Sequence, residues 1–203
     1  MHPNRAFHWD DPAAIKAFVA DTAFGQLFAT TPDGPRVAHI PVVWQDDTHL
    51  RFHLARGNAL TRHLDGATGL FVVNGPDAYI SPDWYGLDQQ VPTWNYVAAE
   101  LQGPLRRLSD TELVDQVEAL SARHEARLAP KQPWTAGKLD AEIYRKLLGA
   151  IAGFEMRVEQ WRGTRKLGQN KSIEMRMRVA DTLEASGSAA MAALMRAADT
   201  EPA

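Results

Sequence analysis

Gln26-Leu-Phe-Ala-Thr-Thr-Pro-Asp-Gly-Pro-Arg-Val-Ala-His-Ile-Pro-Val-Val-Trp44, carried across Gln45-Asp-Asp-Thr48 into His49-Leu-Arg-Phe-His-Leu54, is the stretch that decides the fold. Its period is two. Leu50, Phe52 and Leu54 point one way and His49, Arg51 and His53 the other, as on a strand with one face in a core. Pro32-Asp-Gly-Pro35 supplies turn residues, so 26–31 and 37–44 read as a β-hairpin.

Working outward, Asp10 or Asp11 before Pro12 starts a short helix bearing Ile15, Phe18 and Val19. Asn58 can cap another through Leu64. Leu70 to Val73 is apolar on both faces, as expected of a central strand. Ala78 to Ser81 and Trp94 to Leu105 add strand, with a bend or edge at Gly103-Pro104. Asp110 opens a helix with Leu113, Val117 and Leu120, and a further helix spans about 140–148. Phe154, Met156 and Val158 alternate with Glu155, Arg157 and Glu159 in a late strand running towards Trp161. The last helix is Ala-rich. Six or seven strands lie too close in sequence for parallel crossovers. A mainly β fold follows, with peripheral helices, a closed or split antiparallel barrel and a helical C-terminal region. The expected organisation is one domain, 1–184, with an Ala-rich helix or tail over 185–203.

Composition narrows the function. A net charge of -3 argues against a general nucleic-acid binder. The absence of cysteine excludes disulfides, thiolate metal sites and a Cys nucleophile. No apolar run is long enough to span a bilayer, and the N-terminus lacks a signal-peptide pattern, so a cytoplasmic location is expected. No nucleophile elbow, Walker loop or dinucleotide fingerprint is present. His49 and His53 share a strand face but stand roughly 13 Å apart, too far for joint ligation, so no metal site is expected.

Two segments mix aromatic rings with polar side chains: Gly75-Pro-Asp-Ala-Tyr-Ile-Ser-Pro-Asp-Trp-Tyr85 and Val91-Pro-Thr-Trp-Asn-Tyr96. Either the rings fill a β-core, or they cover a flat ligand whose rim meets Ser81, Thr93 and Asn95. Arg36 and Arg56-Gly-Asn58 sit at the ends of neighbouring strands. Hairpin register places those ends on one side, where they can face a phosphate. Arg165-Lys-Leu-Gly-Gln-Asn-Lys171 reads in three ways: a solvated face, a nucleic-acid patch including Arg176 and Arg178, or a lid whose amides read a polar heterocycle.

Phe24-Gly-Gln-Leu27, Arg36-Val-Ala-His-Ile-Pro41, His53-Leu-Ala-Arg-Gly-Asn58, the two aromatic segments and Lys166-Leu-Gly-Gln-Asn-Lys-Ser172 occur in that order. The series resembles the PaiB-type FMN-binding family of negative transcriptional regulators, from the N-terminus to about Leu183. The resemblance implies an FMN-binding split β-barrel of the pyridoxamine-phosphate-oxidase-like type, a homodimer with FMN at the interface. It implies that Arg36, Val37, Ala38, His39, His53, Arg56 and Asn58 contact flavin and phosphate. It implies that Thr93, Trp94, Asn95, Lys166, Gln169 and Asn170 wall the ring.

Flavin chemistry would be the cofactor's, with the protein supplying orientation and charge, for which Lys166 or His39 is a candidate. The expected function is that of a flavin-dependent redox protein, an oxidoreductase or flavin reductase with a nicotinamide donor, or a PaiB-type regulator. A repressor without redox turnover and a haem-binding relative using His39, His53 or His63 are the alternatives. Direct DNA binding stays open.

Overall fold

The computed structural model describes residues 2–198. The chain forms two compact units, a larger one of Lys16–Val73 with Glu100–Trp161, and a smaller one. The smaller unit holds the N-terminal residues to Ile15, Asn74–Ala99 and the described residues from Arg162 onward. Among the described residues no helix is long and apolar enough to cross a membrane.

In chain order the elements are β1 (His8–Trp9), α1 (Pro12–Thr22), β2 (Phe24–Thr31), β3 (Gly34–Trp44), β4 (His49–Ala55), β5 (Thr68–Ile80) and β6 (Thr93–Arg107). There follow α2 (Asp110–Ala126), α3 (Ala141–Gly149), β7 (Ile151–Arg157), β8 (Gln160–Lys166), α4 (Ile173–Ala185) and α5 (Ala189–Ala197).

The larger unit is built on the hairpin. β2 pairs antiparallel with β3 from Phe24↔Pro41 to Thr31↔Gly34. At Pro41, which has no amide to donate, β3 changes partner: Val42, Val43 and Trp44 pair with Phe52, Arg51 and Leu50 of β4. β4 pairs along its length with β7. The strand order is β6-β5-β2-β3-β4-β7, and β6 also pairs with β7. Six strands therefore close on themselves as a barrel.

Leu27, Leu50, Phe52, Phe71, Leu101, Phe154 and Met156 fill it and are fully buried. Phe52 and Phe154 face each other in register with ring centres 6.0 Å apart. Burying each such side chain stabilises the fold by about 1.5–3 kcal/mol, and truncating Phe154 to Ala would cost about 3–5 kcal/mol.

Helix ends follow local chemistry. Asp11 caps α1, its Oδ1 accepting the amides of Ala13 and Ala14 at 2.9 and 3.0 Å. Ser109 and Glu112 form a reciprocal capping box at the start of α2. The segment after Asn58 is a turn with a single 3-10 turn at Thr61–His63 rather than the helix expected there. Asn58 accepts the Leu60 amide at 2.9 Å instead of capping an α-helix. The late strand divides in two, β7 and β8, and the break falls at Val158-Glu159.

In the smaller unit the strand order is β1-β8-β6, with His8 opposite Thr164 and Trp9 opposite Gly163. The two-residue β1 raises the strand count to eight. α5 packs on α4, Val179, Leu183, Met191 and Met195 of the two helices are buried, and Arg196 pairs with Asp181 and Glu184 of α4. Of the Ala-rich tail, residues 199–203 lie outside the described residues.

Candidate functional site

In the smaller unit the start of β6 and the end of β8 line a cavity of about 280 Å³, together with the N-terminal segment and the turn after β8. Pleating puts Thr93 and Asn95 on one face of β6 and into the cavity. Trp94, between them, takes the opposite face. It is 55% exposed and stands edge-on to Tyr79 at 6.0 Å.

Lys166 Nζ donates to Thr93 Oγ1 at 2.6 Å and lies 5.7 Å from the Phe7 ring centre. Burial pushes its ammonium below the usual lysine range. Lys171 also lines the cavity; it donates to Gln90 Oε1 at 2.8 Å and lies 5.0 Å from the Tyr85 ring centre. Neither ammonium has a carboxylate partner among the described residues. Asn95 is buried, and its Nδ2 reaches only the thioether of Met195, at 3.4 Å. A thioether is a weak acceptor, so this amide retains hydrogen-bonding capacity.

The turn Leu167–Lys171 is held by Gly168, whose φ of 83° suits glycine. Gln169 clamps it: Oε1 accepts the Leu167 amide at 2.8 Å and Nε2 donates to the Arg165 carbonyl at 2.6 Å. The Gln169 carboxamide is thus spent on backbone and positions the exposed Asn170, which lines the cavity.

The remaining residues picked from the sequence belong to the larger unit. Arg36 is exposed and donates only to the carbonyl of Pro35, at 3.1 Å. Arg56 is exposed with no ion pair among the described residues. The β3–β4 ladder stops at Val42↔Phe52, so hairpin register does not carry Arg36 opposite Arg56. β3 has left β4 for β2 by that point. Val37 and His39 are exposed on the β2–β3 pair while Ala38 is buried. His53 turns to α2, where Nδ1 meets Gln116 Oε1 at 3.1 Å. Burial holds its ring below the ordinary histidine value, against the smaller opposing effect of Gln116. It serves helix packing.

The structure therefore brings Thr93, Asn95, Lys166 and Asn170 together, with Gln169 behind them. Sequence reasoning missed His2, Asn4 and Phe7, which line the same cavity. β1 brings them there by pairing with β8, and a two-residue strand leaves no periodic signal.

The donor set suits a flavin. Two ammoniums without a carboxylate partner among the described residues, a hydroxyl and three carboxamides (Asn4, Asn95 and Asn170) match an electron-rich rim, and Phe7 and Tyr85 offer apolar cover.

Residues 1–160 match the family described as "Putative FMN-binding domain". The chain belongs to this family. It is 30% identical over 188 residues to "Protease synthase and sporulation protein PAI 2" of Bacillus subtilis, spanning 91% of this chain and 89% of that protein. In fold it is similar to the FAD and haem binding protein of Mycobacterium smegmatis, with TM-score 0.58 and 17% identity over 78% of this chain and 73% of that one. It is also similar to a flavocytochrome of Azotobacter vinelandii, with TM-score 0.55 and 17% identity over 81% and 72%. Membership of the FMN-binding family and the closed β architecture make this a split-barrel FMN-binding protein.

Proposed function

We propose that the chain is an FMN-dependent redox protein of the PaiB type, working as a homodimer with flavin held where two copies meet. The observation that carries this reading is the pair of ammoniums, Lys166 and Lys171, facing a cavity without a carboxylate to neutralise them. Bound FMN would supply two-electron chemistry, accepting hydride from a nicotinamide donor. The protein's part is to hold and polarise: Lys166 and Thr93 at the ring's rim, Asn95 and Asn170 as amide readers, Arg36 and Arg56 for the phosphate.

Pairing of two copies is supported by apolar side chains left uncovered. Phe28 and Val37 face each other across β2 and β3 and are 38% and 45% exposed, and Phe24, four residues back on β2, is 50% exposed. Contiguous exposed apolar patches mark interaction surfaces.

A regulatory role, in this reading, runs through flavin state or a partner rather than a basic face. Much of the cationic segment is engaged: Arg165 lies over Trp9 at 5.4 Å, Lys166 and Lys171 line the cavity, Arg176 is buried, and Arg178 donates to the Tyr85 carbonyl.

The test is the visible spectrum of the purified protein, its mass in solution, and anaerobic addition of a nicotinamide donor. Flavin absorbance that bleaches on reduction, in a particle of twice the chain's mass, is expected. A colourless monomer that takes up no added FMN would refute the reading. Flavin that is bound but never bleached would remove the redox part. A steep salt dependence of DNA binding would restore the basic face.

A further inference from the structure

A second cavity, of about 410 Å³, lies within the larger unit between α2, the segment Pro133–Gly137 and α3. It shares no residue with the flavin cavity, and nothing in the flavin reading uses it. Its volume falls in the range of small-molecule sites. Its walls are largely apolar, with Val117 and Ala122 of α2 on one side and Pro133 and Trp134 on the other. The second wall is fastened to the first. The Trp134 amide donates to Glu125 Oε2 at 2.8 Å, and Lys131 pairs with the same carboxylate.

Four side chains with polar groups interrupt the apolar lining: Glu118, Ser121, Thr135 and Tyr144. The hydroxyl of Tyr144, on α3, is buried without a hydrogen-bond partner. Buried phenols ordinarily find one, so the site is chemically incomplete. Glu118, on α2, is the only charged side chain lining the cavity, and it forms no ion pair among the described residues.

We propose that this cavity is a binding site for a small protonated amine with an apolar or aromatic body. The body would lie against Val117, Ala122, Pro133 and Trp134, and the ammonium would donate to Tyr144 Oη and to the Glu118 carboxylate. Indole and phenol rings favour a cation in addition. Burial, and then the charge of Glu118, raise the Tyr144 phenol above its usual value, so it stays neutral and can accept. Glu118 is exposed, so its carboxylate is hydrated in the free protein; an anionic ligand would still meet it with like charge, and a neutral one would gain nothing from it.

The experiment is titration calorimetry on the FMN-loaded full chain with 2-phenylethylamine, 2-phenylethanol and 3-phenylpropionate. The amine should bind about ten-fold or more tighter than the alcohol, and the carboxylate weakest. Glu118→Gln should erase the preference for amine over alcohol. Tyr144→Phe should weaken the amine about five-fold or more. Visible flavin absorbance should be unchanged in both variants, which separates this site from the flavin cavity. Equal affinity for amine and alcohol, amine binding indifferent to both substitutions, or no binding of any probe would each overturn the proposal.

Discussion

Lys166, the last residue of β8, donates its ammonium to the hydroxyl of Thr93, the first residue of β6, over 2.6 Å. The bond ties two strand ends that line one cavity and fixes a cation that no carboxylate among the described residues neutralises. Lys166→Met should raise the dissociation constant for FMN about 10- to 100-fold, the usual effect of losing a hydrogen bond to a charged group. Thr93→Val, which leaves the ammonium in place but unanchored, should act in the same direction with a smaller effect. Fluorescence titration of flavin-free protein checks both. Unchanged affinity in Lys166→Met would take the cavity out of the flavin site.

On the proposed assignment of Arg36 and Arg56 to the phosphate and Lys166 to the ring, riboflavin tells the two sets of contacts apart. Wild-type protein should prefer FMN to riboflavin, and Arg56→Ala should abolish most of that preference while leaving riboflavin affinity alone. Arg36→Ala tests the second guanidinium in the same way. Lys166→Met should weaken both ligands together. If Arg56→Ala and Lys166→Met give the same pattern, the assignment of phosphate to one set and ring to the other is wrong.

The hairpin was legible because its information is local: one core face on β4, turn residues at 32–35, and alternation that survives in the burial of Leu50, Phe52 and Leu54. The switch of β3 from β2 to β4 at Pro41 was not legible, since it depends on which distant strand supplies the next partner. The register argument for Arg36 and Arg56 failed for that reason, having extended a ladder beyond its end. In the cavity, Thr93, Asn95, Lys166 and Asn170 stood out as polar groups beside aromatic or glycine positions. Phe7 and Asn4 gave no such signal, because only the pairing of β1 with β8 makes them neighbours of that site. Gln169 looked like a reader and is a clamp, a distinction that only hydrogen-bond geometry draws.

One carboxylate bridges the three strands at the barrel's closure. Glu155 of β7 is buried and accepts from Arg51 Nε of β4 at 2.7 Å and from Arg106 Nε of β6 at 2.9 Å, each its register partner. Glu155→Ala leaves the buried Arg51 guanidinium without that partner and should cost about 3–5 kcal/mol, read as a lower urea midpoint. The paired change Arg51→Met with Glu155→Leu should cost less than Glu155→Ala alone, because no charge is stranded. A double variant weaker than the single would mean the ion pair stabilises beyond its own desolvation.

Acid should loosen α2 at its start. The Arg106 guanidinium, then the Ser109 amide, hold the Glu112 carboxyl at about 2 against an ordinary 4.5. The folded value lies below the unfolded one. The stabilisation is therefore complete above about 4.5 and is lost as pH falls towards 2. Asp46 behaves alike, held at about 2 against 3.8 chiefly by the Thr48 amide. The thermal midpoint should fall steeply across that window, and Glu112→Gln should flatten part of the slope. Identical curves for the two proteins would exclude Glu112 as a contributor.

Gly103 tests how tightly β6 and β7 close. The sequence reads Gly103-Pro104 as a bend or an edge, yet β6 runs unbroken through both to Arg107. The glycine is there for proximity: a Cβ at position 103 would collide with the backbone carbonyl of Arg157, which cannot swing aside as a side chain would. Gly103→Ala should therefore destabilise by about 1–3 kcal/mol or more, through backbone displacement at the seam. Gly57 is the matched control, since a Cβ there meets nothing within 4 Å. Gly57→Ala should change stability by no more than about 0.5 kcal/mol. Equal urea midpoints for the two variants would show that the β6–β7 seam yields, and that the barrel is not closed as tightly as the Arg157 carbonyl implies.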